Sequence, residues 1–285
     1  MSKILLSLPS ILLLSLTLME GNASASDQSC RELYSQRPDF NSVMGAYQCY
    51  SALIPSLSGP ALERAWIMER ALKTSSFAII HHGKTAGSSA QREWIDQSLR
   101  WSEILSSLAI ESENTDQGRL ISGISSFWRM SVLTFDAAQK DGLPIDQGEE
   151  PGLVLVPPAR MMAALPKIKQ EMRRAQELAP EYEGYGAKRN EGVMNLVFPE
   201  RFFPGALRAA VTLLSQVYQA APRFSMNVIF YAKALKKSKD IGEAKRVLSI
   251  FVTEASSNPS LYGSDRLPET LDDLERARKY LAEWN

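Results

Sequence analysis

Reactive side chains are scarce: the 285 residues include two histidines and two cysteines. That leaves little material for a metal centre or for acid–base chemistry run by imidazole. An excess of either charge is also missing, with 32 Lys and Arg against 32 Asp and Glu. A nucleic-acid binder needs a basic footprint to offset phosphate charge, so that class is excluded. Alternating apolar and polar residues are rare, which leaves almost no strand signal. H-E-x-x-H, G-x-S-x-G and S-x-x-K do not occur, which removes the common zinc and serine hydrolase signatures. No metal and no cofactor is expected. The composition that remains, 45% apolar and 22% charged, excludes a disordered chain and suffices for a sizeable core.

The long apolar runs are confined to the start. Lys3 precedes a greasy stretch from Ile4 to Met19, broken by Pro9, and Ala23-Ser24-Ala25 follows. A positive start, a short apolar centre and an A-x-A end make residues 1–25 a secretory signal peptide cut after Ala25. The alternative is an uncleaved anchor, although the run is short for a spanning helix. The remainder, 26–285, is expected to form one helical-repeat domain in the periplasm or outside the cell. Cys30 follows Asp27-Gln28-Ser29, which is not the setting of a lipid-modified cysteine, so no lipid anchor is expected.

Export puts Cys30 and Cys49 in an oxidising compartment. Their midpoint falls on Pro38-Asp39-Phe40-Asn41, where Pro38 stops one helix and Asp39 or Asn41 caps the next. In an antiparallel hairpin, residues equidistant from the turn face each other, so a structural Cys30–Cys49 disulfide is expected. A reactive thiol pair is the alternative, but no C-x-x-C spacing favours it.

Apolar residues recur at helical spacing. The stripes are Val43, Ala46, Tyr47, Tyr50 and Ile54; Leu62, Ala65, Trp66 and Leu72; Trp94, Leu99, Ile104, Leu105 and Leu108; and Ile121, Ile124, Phe127, Trp128, Val132 and Phe135. Leu207, Val211, Leu214 and Tyr218 continue the pattern, then Ala244, Val247, Leu248 and Phe251, and finally Leu271, Leu274, Ala277 and Leu281. Each marks a buried helix face. The fold class expected is all-α, built of stacked antiparallel helix pairs with degenerate tetratricopeptide-like repeats. Ala179-Pro180-Glu181-Tyr182 recurs as Ala221-Pro222-Arg223-Phe224 and, more loosely, as Asn258-Pro259-Ser260-Leu261-Tyr262. Proline ends one helix, and the aromatic after it tucks under the next. Small Ala210 and bulky Leu214, then Val228, Tyr231, Ala232, Leu235, Ala244 and Leu248, fit the repeat template. A plain helical bundle is the simpler alternative.

Two loops break this regularity. Residues 139–158 are rich in Gly, Pro and acid and contain Leu153-Val154-Leu155-Val156; a loop of that length is functional or mobile. Phe202 and Phe203 sit adjacent on a connection, as a partner contact or, more simply, with one of them plugging the core. His81-His82-Gly83-Lys84-Thr85 ends like a phosphate loop, but Ala78 stands where its first glycine belongs. Neighbouring histidines on a helix point about 100° apart and rarely share an ion, so this stretch is read as a linker between helices. The acid pairs Glu149-Glu150 and Asp272-Asp273 look like solvated charges.

Gln176-Glu177-Leu178-Ala179-Pro180-Glu181-Tyr182, continued by Gly184-Tyr185-Gly186-Ala187-Lys188-Arg189-Asn190-Glu191-Gly192, resembles the central motif of the T component associated with TRAP transporters. Arg189 and Gly192 stand where that family has its arginine and glycine. Pro204-Gly205-Ala206-Leu207 opening a helix that ends at Ala221-Pro222-Arg223-Phe224 is similar too, as is Phe127-Trp128 for the family's aromatic–tryptophan pair. The likeness runs loosely from Ala46 to Val252 and is strongest between Lys169 and Leu248. It implies an exported, all-helical, non-enzymatic protein that assembles as a homotrimer around a cavity and works beside a periplasmic solute-binding protein. The chain departs from the family in lacking the lipid-attachment cysteine and in the length of 139–158.

Stacked helix pairs create a concave surface that holds a peptide, a partner helix or a small ligand. Arg189, Asn190, Trp128, Arg129, Asn227 and Tyr231 are the candidates to line it, each with an ordinary inter-helix hydrogen bond as the competing role. Arg189 leads, since a buried arginine needs an acceptor that a ligand carboxylate can supply. The function expected is binding of a small apolar or carboxylate ligand, or of an envelope protein, alongside a TRAP-type uptake system. An envelope assembly adaptor is one alternative. A secreted hydrolase with dispersed acidic residues is the other.

Overall fold

Every regular element among the described residues is helical. The computed structural model describes residues 26–284 apart from 38, 113, 144, 146–158, 199 and 201. The expected signal segment 1–25, Pro38, Glu149-Glu150 and Leu153–Val156 therefore lie outside the described residues. In chain order the helices are α1 (Asp27–Ser35), α2 (Phe40–Leu53), α3 (Ala61–Phe77), α4 (Gly83–Ala86), α5 (Ser88–Glu111) and α6 (Asp116–Lys140). They continue as α7 (Ala159–Leu178), α8 (Tyr182–Val197), α9 (Ala206–Ala220), α10 (Ser225–Lys237), α11 (Ile241–Ser257) and α12 (Leu267–Glu283). Consecutive helices pack as stacked pairs, as the apolar stripes predict.

Asp39 is the cap of the second helix, its Oδ2 accepting from the Ser42 backbone N–H at 2.8 Å. With the hairpin fixed by that cap, Cys30 and Cys49 meet in a disulfide with Cα atoms 5.4 Å apart. The stripe on α2 faces inward as expected, with Val43, Ala46 and Tyr50 fully buried. From there one core runs through Met68, Leu72, Trp101, Leu105, Ile121 and Ile124 to Met172 and Ala187. A second core, Val228, Leu235, Val247, Leu248, Phe251, Leu274 and Trp284, joins α10 to α12.

Two stripe positions turn outward. Ile104 is 42% exposed because its neighbour Leu105, one step around the helix, occupies the core. Leu271 is 48% exposed, while Thr270, Asp273 and Leu274 take the inward side of α12. The His81-His82 stretch is also helical rather than a linker. Ala78–His82 form a π-helical segment that carries α3 into α4.

Residues 139–158 begin as helix, since α6 runs to Lys140. The helix closes with Gly142 at φ +67° and Leu143 N–H donating to the Ala138 carbonyl at 2.8 Å, a left-handed stop suited to glycine. Asp141 then reaches the far end of the excursion. Its carboxylate accepts from the backbone N–H groups of Arg160 (3.0 Å) and Met161 (2.7 Å), capping the start of α7.

Replacing both cysteines by serine lowers the unfolding free energy by about 3 kcal/mol, because the bridge closes a 19-residue separation. Asp141→Ala costs about 1 kcal/mol through loss of the cap. Urea denaturation followed by circular dichroism reads both changes.

Candidate functional site

The motif at the start of α8 folds in an unusual way. Glu183, Gly184 and Tyr185 are consecutively left-handed, at φ 53°, 57° and 63°. For the two residues with a side chain this costs on the order of 1–2 kcal/mol each, so the surroundings must over-determine the turn. They do so from both sides. Arg189 Nη1 donates to the Glu183 carbonyl at 2.8 Å and to Asn227 Oδ1 at 2.9 Å. Asn227 Nδ2 donates to the carbonyls of Gly184 (3.1 Å) and Ala221 (3.0 Å). The Phe224 ring lies so close over Gly184 that an added Cβ there would fall 2.4 Å from it. Arg189 and Arg266 both face that ring, at 4.7 and 4.2 Å from its centroid.

The turn aims the Glu183 carboxylate into a buried ionic network. It takes Lys73 Nζ at 2.7 Å and Arg266 Nη1 at 2.5 Å. Lys73 also reaches Glu69 at 2.8 Å. The Tyr182 hydroxyl donates to Glu69 at 2.6 Å and accepts from the Trp128 indole N–H at 2.9 Å. Nearby, Arg37 pairs with Glu269 and donates to the Asp265 carbonyl. Residues from α3, α6, α8 and α12 thus meet at one corner.

Burial and neighbours set the charges there. Burial works against the Glu183 carboxylate, but Arg266 and Lys73 outweigh it and hold the group down at about 2. Desolvation lowers Arg189 to about 10, assisted by the like charge of Arg266, so it remains a cation. Asp273, buried beside Ser225 Oγ at 2.6 Å, is pushed up to about 6 by desolvation. This corrects the expectation of a solvated acid pair: Asp272 is half-buried but Asp273 is 2% exposed. His81 stacks on Phe77 with centroids 4.1 Å apart and faces Asp272 at 3.7 Å. Desolvation lowers it to about 4, leaving a neutral imidazole at neutral pH.

Open concave surface lies elsewhere, in two grooves. A cleft of about 600 Å³ is walled by Tyr218, Phe224, Val228, Val247, Ile250 and Phe251, with Glu254 as its one carboxylate. A groove of about 480 Å³ runs between α5, α6 and α7, lined by serines, Arg119, Arg129 and Arg174, with Glu171 as its one carboxylate.

The six expected lining residues are therefore divided. Arg189, Asn227 and Trp128 belong to the buried corner, and the acceptors of Arg189 are the chain's own oxygens. Asn190 is half-buried on α8. Tyr231 stacks on Tyr218, with centroids 5.2 Å apart. Arg129 alone reaches an open groove, pairing with Glu171 at 3.2 Å. Phe203 stacks on Phe198 at 4.6 Å while Phe202 is 42% exposed. The three corner aromatics pack inward, but on helices other than the one that follows: Tyr182 on Phe127 of α6, Phe224 on Gly184 of α8, and Tyr262 on Phe251 of α11. Among the described residues no cluster of three or more His, Cys, Asp and Glu is placed to hold a metal.

Sequence reasoning missed Glu69, Lys73, Glu183 and Arg266, the charged members of the corner. The one local signal was the Glu-Gly-Tyr run after Tyr182, where a glycine flanked by bulky residues marks a backbone that must turn left-handed.

Glu183→Gln and Asp273→Asn have opposite pH signatures. Because the Glu183 pKa falls on folding from 4.5 to about 2, its contribution is full above pH 4.5 and fades as pH drops toward 2. Glu183→Gln therefore destabilises at pH 7 by roughly 3 kcal/mol and flattens the acid limb. The Asp273 pKa rises from 3.8 to about 6, so ionising it costs stability as pH climbs through that window. Asp273→Asn therefore stabilises at pH 7, by about 1–3 kcal/mol, with no gain below pH 3.8. Thermal unfolding across pH checks both. A scan against protein-family models matches none, and no curated protein is similar enough in sequence to be a relative.

Proposed function

We propose that this chain is an exported, non-enzymatic helical-repeat protein that binds a small ligand or a partner protein, in the manner of the T component associated with TRAP transporters. The observation that carries this is the division of labour between charge and surface. The dense titratable cluster is largely buried and taken up in its own pairs, whereas the two grooves described above have one lining carboxylate each. Hydrolysis by a carboxylate pair needs two acids facing one another across a substrate, so the grooves favour binding over the hydrolase alternative. The tetratricopeptide-like reading is supported by buried Ala210, Leu214, Val228, Ala232, Leu235, Ala244 and Leu248.

The disulfide fits an oxidising compartment. Signal cleavage after Ala25 releases a chain beginning at Ser26, in the periplasm or outside the cell. Cys30 is bonded to Cys49, so its sulfur is not free to carry a lipid. No helix among the described residues is long and apolar enough to cross a membrane. The apolar walls of the α9–α11 cleft suit a small apolar ligand. A homotrimer beside a periplasmic solute-binding protein is the assembly that the resemblance favours. The envelope-adaptor alternative draws on exposed Phe202 and Val197, at 42% and 40%.

The neutral dye N-phenyl-1-naphthylamine tests the ligand part. Its fluorescence rises on adding the purified exported chain, and Ile250→Glu at the 39%-exposed cleft wall weakens binding at least about fivefold. No rise, or an unchanged affinity in the variant, overturns it. Light scattering gives a three-chain mass, and a single-chain mass removes the trimer.

A further inference from the structure

We infer that the groove between α5, α6 and α7 is a binding site for a small hydroxylated anion, one bearing a carboxylate or phosphate group. This deepens the binding function proposed above and gives it a second ligand chemistry, apart from the apolar cleft.

Charge is the first observation. Arg119, Arg129 and Arg174 line the groove against one carboxylate, Glu171. Arg129 spends its Nε on Glu171 at 3.2 Å and one Nη on Ser106 Oγ at 3.3 Å. Arg174 gives one Nη to Ser122 Oγ at 2.7 Å. A guanidinium has five N–H donors in a fixed fork, so most of the donor capacity at this place remains unspent. Carboxylate and phosphate oxygens match that fork, and charge-assisted bonds of this kind are about twice as strong as neutral ones.

The serines supply the second observation. Ser106, Ser122, Ser125 and Ser126 lie along the floor. Ser106 donates to the Ser102 carbonyl at 2.8 Å and lies 2.7 Å from Ser125 Oγ, so these two hydroxyls order each other. Ser122 Oγ accepts from Arg174 at 2.7 Å, which ties the hydroxyl row to the guanidiniums. A hydroxyl-bearing ligand finds partners on such a floor that an apolar one does not. The groove, at about 480 Å³, is larger than a bare inorganic anion requires and lies in the range of pockets for small organic molecules.

Helix dipoles account for part of the arginine content. The C-terminal turns of α5 and α7 lie along the groove, through Ala109, Ile110 and Leu178, and carbonyl ends favour cations. That attraction falls off within the last turn, whereas Arg129 sits in mid-helix, ten or more residues from either end of α6. The dipoles do not explain why Arg129 lines the same groove as Arg119, Arg174 and four serines.

Calorimetric titration of the purified exported chain tests the site, with gluconate and glucose 6-phosphate as anions and glucose as the neutral control. Both anions, or the one whose head group fits, bind at micromolar to low-millimolar concentration, and glucose does not. Arg119→Ala and Arg174→Ala each weaken the affinity by about tenfold. Both side chains are exposed, so the fold is retained, as thermal unfolding verifies. Raising salt from about 20 to about 200 mM weakens binding severalfold. The inference is overturned if neither anion binds at about 10 mM, if glucose binds equally, or if both substitutions leave the affinity unchanged. Dye binding at the α9–α11 cleft, read in parallel, separates this outcome from failure of the wider binding function: dye without anion sinks only the anion site.

Discussion

The left-handed turn at Glu183–Tyr185 is the constraint on which the rest of the structure depends. A right-handed start to α8 would carry the Glu183 carboxylate away from Lys73 and Arg266, leaving Lys73 with Glu69 alone and parting Glu183 from Arg266, a larger penalty than the backbone strain. The strain is therefore held in place by electrostatics, and the electrostatics by the strain. Arg189 and Asn227 complete the lock by bonding the carbonyls that the turn exposes. Early and late parts of the chain are joined here. Glu69 and Lys73 belong to α3, while Arg266 immediately precedes α12.

This arrangement separates the buried charges from the open grooves. At the corner Glu183, Lys73, Glu69 and Arg266 are largely taken up by one another. The grooves are built the opposite way. One is walled by aromatic and branched side chains, and the other by hydroxyls and guanidiniums. Recognition by helical stacks relies on surfaces of this sort, shaped by the spacing of packed pairs rather than by mobile loops.

Much of the helical architecture was legible in the sequence because its signals are local. Helical spacing identified the buried faces of α2, α6 and α11, and the distance of Cys30 and Cys49 from a turn located the disulfide. The helix ends at Pro180, Pro222 and Pro259 were readable for the same reason, whereas the helix on which each following aromatic packs was not. Errors at Ile104 and Leu271 came from counting apolar residues where two compete for one helix face or where a polar neighbour takes the inward side. The ionic corner left little trace, since Arg37 and Glu269 are 232 residues apart and no periodicity links them. Arg189 was singled out for its burial, but its acceptors are a backbone turn that composition does not announce. The π-helical segment at Ala78–His82 was equally hidden, because a glycine and two histidines imitate a linker.

Asp141 fastens the exit from α6 to the entry of α7 with one side chain. The two helices are thereby held to each other by one carboxylate bonded to two successive backbone N–H groups. Mechanically, Asp141 is a clasp: the residue that follows α6 grips the first turn of α7, so a pull on one helix is passed directly to the other.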